Sequence, residues 1–136
     1  MKTLALDIGD AWTGSALSDA LGFFARPYKT VQTEDLKSFL VETLKKEPIS
    51  TVVVGYPKTM RGTESEQTKK IKLTAHELEL EMPNVKWVLW DERLSSKRAD
   101  TLKRAKTKAE KIDSHSVAAA FILTSYLDFL HTQKAL

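Results

Sequence analysis

Four carboxylates of this 136-residue chain fall where an apolar strand should end or a helix should begin. Asp7 follows Leu4-Ala5-Leu6, and Gly9 just beyond it lets a backbone or a ligand come close. Asp91 and Glu92 follow Val88-Leu89-Trp90, and Asp113 stands at the mouth of an expected last helix. A carboxylate that ends an apolar strand is costly unless it is hydrogen-bonded, paired or bound to a cation. Several brought together repel one another and suit a hard divalent ion held through oxygen. Each acid also has a local explanation: Asp113 can cap its helix, Asp91 or Glu92 can pair with Arg93, and Asp7 can accept backbone amides in its turn.

Other chemistries are narrower. With no cysteine, the chain has no disulfide framework, thiol nucleophile, iron-sulfur cluster or Cys-ligated zinc. His76, His115 and His131 share no ligand spacing, which favours a satisfied surface or helix-flank role for each. The net charge of +3 is unevenly spread. Between Lys97 and Lys111 stand seven basic residues, Lys97, Arg98, Lys103, Arg104, Lys106, Lys108 and Lys111, against Asp100 and Glu110. Such a stripe is either a solvated helix face or a footprint for a polyanion, where each neutralised phosphate releases counterions. Trp12, Trp87 and Trp90 offer base-stacking surfaces, with core packing favoured for the last two.

The elements that must position these groups follow from pattern. Thr3 to Gly9, Thr13 to Asp19 and Phe23 to Val31 read as three strands joined by tight turns. Thr33 should cap a helix carrying Leu36, Phe39, Leu40 and Leu44 at helical spacing, ended by Lys45, Lys46 and Pro48. Thr51 to Val54 is β-branched throughout, as in a parallel strand covered on both faces. Thr63-Glu64-Ser65-Glu66 reads as a capping box for a helix towards Glu81, with Ile71, Leu73, Ala75, Leu78 and Leu80 available for packing. Lys86 to Trp90 is a further strand, and Ser95 or Ser96 should cap a basic helix. Asp113 or Ser114 should open a last helix to about Leu130, apolar almost all round and hence buried.

The order predicts one α/β domain over residues 1–136: a mixed five-stranded sheet, an antiparallel meander of three strands plus two parallel strands, flanked by helices. Functional groups should gather at the carboxyl ends of its parallel strands. No apolar run approaches the roughly 20 residues of a membrane span, and a charge comes too early for a signal peptide, so a cytoplasmic protein is expected.

Four segments in register, LALDIGDAWTGSALSD, VVVGYPKTMRGTESEQ, WDERLSSKRAD and KIDSHSVAAAFILTSYLD, resemble the signature blocks of the YqgF-like family, also called RuvX. They run from end to end of the chain. The resemblance implies a ribonuclease H-like fold and a nuclease, acting on precursor 16S rRNA in ribosome biogenesis or, alternatively, on Holliday junctions. A third reading is a non-catalytic nucleic-acid-binding module of the same fold. By the same resemblance Asp7, Asp113 and one of Asp91 and Glu92 are the catalytic acids, with Glu92 favoured over Asp91. In related nucleases the middle acid often ends the fourth strand, which here ends Gly55-Tyr56-Pro57. In the family's strand order the Asp-Glu pair would then lie two strands from Asp7, about 10 Å at the backbone.

The implied mechanism places Mg²⁺ or Mn²⁺ on Asp7, Glu92 and Asp113 for in-line phosphodiester hydrolysis. Lys58 and Arg61 would anchor a neighbouring phosphate, and Arg93, Lys97, Arg98, Lys103 and Arg104 would track the backbone of structured RNA or branched DNA. Pre-ribosomal particles are the implied partner, and the chain would act as a monomer or weak homodimer, since cutting both strands of a junction requires two sites. Two departures from the family's pattern stand out: Trp12-Thr13 before Gly14, where a polar or basic residue is usual, and a lysine-rich Ala105 to Lys111 loop where relatives are often glycine-rich. The DIGDAWTG segment also resembles the first phosphate loop of actin-like and sugar-kinase ATPases, which close nucleotide between two such domains.

Overall fold

The computed structural model describes residues 1–57, 65–91 and 107–135. Its strands are β1 (Lys2–Ile8), β2 (Trp12–Ser18), β3 (Ala25–Gln32), β4 (Ile49–Tyr56) and β5 (Lys86–Asp91), in the spatial order β3-β2-β1-β4-β5. The described helices are α1 (Leu36–Lys46), α2 (Glu66–Glu81) and α3 (Lys108–Ala135). β1 pairs antiparallel with β2 and parallel with β4, β2 pairs antiparallel with β3, and β4 runs parallel to β5. This is the mixed sheet that the sequence predicts, with its central strand β1 carrying Asp7.

Side-chain alternation divides the core in two. On one face Leu4, Leu6 and Ile8 meet Val52, Val54, Leu36 and Leu40 of α1, and Ile71, Ala75 and Leu78 of α2. On the other face Ala5, Ala16 and Val53 meet Ala119, Ile122, Leu123 and Tyr126 of α3. Small residues on both partners let α3 lie close to the sheet. Its outer side is wet, with Thr124, Asp128 and Phe129 exposed, so the helix is buried along one stripe rather than all round.

Several local expectations are corrected. Thr33 does not cap α1: it begins a short 3-10 turn, Thr33–Asp35, and its hydroxyl donates to the Gly9 carbonyl at 2.7 Å. Ser65 rather than Thr63 is the cap of α2, accepting from the Thr68 amide at 3.1 Å. Leu73 and Leu80 are exposed, while Ile71, Ala75 and Leu78 do the packing. Helix α3 begins at Lys108, so Asp113 lies inside the helix and caps nothing. The expected caps Ser95 and Ser96 lie outside the described residues.

Candidate functional site

Asp7 is the penultimate residue of β1 and is 1% exposed. It shares the sheet face of Ala5, the face that α3 covers. Its neighbour across the β1–β2 ladder is Gly14, and Gly14 in turn faces Thr30 of β3. Gly14 is required by close approach: a Cβ there would stand 2.0 Å from the His115 carbonyl carbon and 2.5 Å from the Ser116 nitrogen. The backbone of α3 therefore crosses the sheet over Gly14. The crossing is fastened at the next strand, where the hydroxyls of Thr30 and Ser116 hydrogen-bond to each other.

That crossing brings a histidine to the carboxylate. His115 Nδ1 is 3.6 Å from Asp7 Oδ2, and the His115 side chain is 23% exposed. The nitrogen itself is buried and has no hydrogen-bond partner among the described residues. The turn beneath the ring is rigid: the Gly9 amide donates to the Trp12 carbonyl at 2.9 Å, Thr33 donates to the Gly9 carbonyl, and the Thr13 and Thr33 hydroxyls meet at 2.9 Å.

The other expected acids are placed differently. Asp91 pairs with Tyr56 in the β4–β5 register, and alternation from Trp87 puts it on the α1 and α2 side, across the sheet from Asp7. Asp113 is exposed. At about 100° per residue it lies about 200° around α3 from His115, so the helix turns it away from Asp7. Glu92, Lys58, Arg61, Arg93, Lys97, Arg98, Lys103 and Arg104 lie outside the described residues. No cluster of three or more His, Cys, Asp or Glu able to hold a metal occurs among the described residues. The donors that do meet, a buried carboxylate and an imidazole nitrogen beyond hydrogen-bond length, nonetheless fit a divalent cation between them.

His115 was legible in the helical period. It stands four residues before Ala119 and seven before Ile122, on the stripe that continues to Tyr126 and meets the sheet. Asp113 stands on the stripe of exposed Thr124 and Asp128. The favoured satisfied role does hold for His131, whose Nε2 lies 2.9 Å from the Gly22 carbonyl and whose ring stacks on Phe23 at 4.9 Å. Trp90 donates to Ser125 at 3.2 Å and Trp87 to the Met82 carbonyl at 3.0 Å, both packed against the core. Trp12 is half-buried and lines a shallow hollow with Asp10, Ala11, Gln32 and Glu34, where two acids oppose a phosphate backbone.

A five-stranded mixed sheet with a carboxylate at the end of its central strand and a helix laid across that end is the ribonuclease H-like arrangement. RuvC from T. thermophilus in complex with a Holliday junction substrate matches it with TM-score 0.62 at 15% identity, covering 96% of each chain. The fowlpox virus resolvase with Holliday junction DNA matches at TM-score 0.50 and 10% identity, over 100% of this chain and 99% of that one. The chain belongs to the RuvX family, described as Holliday junction resolvase, whose profile matches residues 1–129. Relatives provisionally named pre-16S rRNA nuclease include one from Rubrobacter xylanophilus, 34% identical over 93% of this chain and 92% of its own length. Another, from Shouchella clausii, is 37% identical over 94% of this chain and 95% of its own.

Proposed function

We propose that this protein is a divalent-metal-dependent nuclease that hydrolyses phosphodiester bonds, with the 5′ end of precursor 16S rRNA, in the cytoplasm and on pre-ribosomal particles, as its substrate. The observation that carries the reading is Asp7: a carboxylate 1% exposed at the carboxyl end of the central strand, roofed by α3, in a chain of the RuvX family. A carboxylate so desolvated is retained where it does electrostatic work. The name shared by the relatives supports RNA as substrate, while the family description supports a branched DNA junction as the second reading.

Asp7, Glu92 and Asp113 are the oxygen donors the sequence offers, and Mg²⁺ or Mn²⁺ the ion. The side of the sheet taken by Asp91 supports Glu92 as the middle acid, and the exposure of Asp113 gives it the least support of the three. A bound divalent cation supplies activation of water and stabilisation of charge on the phosphoryl group. The chain's part is to hold the carboxylate fixed and dry through β1 and α3, and to hold the substrate backbone through Lys58, Arg61, Arg93, Lys97, Arg98, Lys103 and Arg104. Those contacts position the backbone and read no sequence.

The test is a side-by-side cleavage assay on precursor 16S rRNA and a four-way DNA junction, with Mg²⁺ or Mn²⁺ and an Asp7→Asn control. Cleavage of RNA by wild type alone supports the first reading, and paired incisions in the junction support the second. No metal-dependent cleavage of either, with binding retained, leaves only a binding module.

A further inference from the structure

We propose that His115, rather than Asp113, stands with Asp7 as a cation donor, which makes the seat a mixed nitrogen and oxygen one that prefers Mn²⁺ and related transition ions to Mg²⁺. The proposal rests on the metal-dependent reading above. Three observations carry it. First, His115 Nδ1 and Asp7 Oδ2 face each other at 3.6 Å, too far for a hydrogen bond. Two donors each about 2.1 Å from one ion stand about 3.0–3.5 Å apart, so the gap is close to that of a shared cation. Secondly, the Nδ1 atom is buried and is otherwise unsatisfied among the described residues. A polar nitrogen left so is costly unless something occupies the gap. Thirdly, the approach is enforced by backbone: α3 passes over Gly14 with no room for a methyl group, and Thr30 with Ser116 fixes the helix one residue beyond the ring.

The chemistry decides the ion. Imidazole nitrogen suits borderline transition ions, while Mg²⁺ takes oxygen ligands in a near-ideal octahedron and keeps most of its waters. Asp113, on the wet flank of the same helix, cannot replace that nitrogen without a rotation of α3 that would break the Thr30–Ser116 hydrogen bond.

The experiment follows the three histidine rings of the intact protein by NMR while MnCl₂ is added below stoichiometry. The expected result is paramagnetic broadening of the His115 ring resonances while His76, which is exposed, and His131, which is held by Gly22, stay sharp. MgCl₂ should reverse the broadening only in at least about tenfold excess over Mn²⁺, and His115→Asp should lower that preference about tenfold. Uniform broadening of all three rings, or an unchanged Mn²⁺ affinity in His115→Gln, overturns the assignment of His115 and leaves the nuclease reading standing. Undiminished cleavage by Asp7→Asn overturns the nuclease reading itself.

Discussion

Replacing Gly14 by alanine tests the packing that assembles the site. The added Cβ would stand 2.0 Å from the His115 carbonyl carbon, 2.1 Å from its oxygen and 2.5 Å from the Ser116 nitrogen, against an ordinary contact of 3.4–4 Å. All three are backbone atoms, so no side-chain rotation relieves the clash, and α3 must retreat by about 1.4 Å or more to restore ordinary packing. Overpacking of this kind costs about 1–3 kcal/mol, and a rigid helix backbone puts the expected value at about 3 kcal/mol or above. For a domain of this size that lowers the melting temperature by about 10 °C. The same retreat pulls His115 from Asp7 and stretches the Thr30–Ser116 bond, and a 1 Å misplacement of reacting groups costs about 10²-fold in rate. Thermal unfolding followed by circular dichroism and cleavage measured well below the new midpoint read the two effects separately. Gly22→Ala is the control: its φ of +75° strains an alanine, yet among the described residues its Cβ meets only Leu127 Cδ2 at 4.0 Å. That variant should lose about 1–2 kcal/mol and keep its cleavage rate. Wild-type stability and activity in Gly14→Ala would refute the close approach of helix and sheet.

Further outcomes follow from other parts of the fold. The Asp19 carboxyl is held below its ordinary 3.8 by amides of the β2–β3 turn, first Phe24 and then Phe23, so its stabilisation is full above that pH and fades as pH falls through the depressed value. Denaturant titrations of Asp19→Asn should show a flatter acid limb below pH 3.8 than wild type. Burial pushes the Tyr126 phenol above 10.0, so its contribution is full below that pH and lost as pH rises through the raised value. Tyr126→Phe should remove that alkaline loss, checked by unfolding midpoints and phenolate absorbance across the same range. Leu123, fully buried between α3 and the sheet, should cost about 2–5 kcal/mol when cut to alanine, measured by chemical denaturation.

The sheet was legible because its strands are written in period and composition: Val52-Val53-Val54 could only be a strand covered twice, and the helical spacing of Leu36 and Leu40 gave the crossover between β3 and β4. Helix starts were less so. Ser65 and Thr63 look alike as caps, and only the amide of Thr68 shows which one serves. Thr33 has a capping side chain, but its hydroxyl is taken by Gly9, a partner 24 residues away that no local rule supplies. The placement of Asp7 was readable from its apolar run and the glycine after it. His115 shares no ligand spacing with the other histidines, so nothing local marks it; only the buried stripe of α3, which runs through the histidine and away from Asp113, carries it to Asp7. The face that Asp91 takes is set by the β4–β5 register and not by its neighbours in sequence, because a one-residue shift of pairing would move it to the other side of the sheet.

The central claim is that the buried carboxylate of Asp7 exists for chemistry and not for folding. Its most direct test is Asp7→Asn, measured for melting temperature and for Mn²⁺-dependent cleavage of precursor 16S rRNA on one preparation. A neutral amide of the same shape fills the same space in a site that is 1% exposed, so the fold should persist with a melting temperature close to that of wild type while cleavage falls by about 10²–10³-fold or more. Unchanged cleavage, or a collapse of stability that accounts for the lost activity, would contradict it.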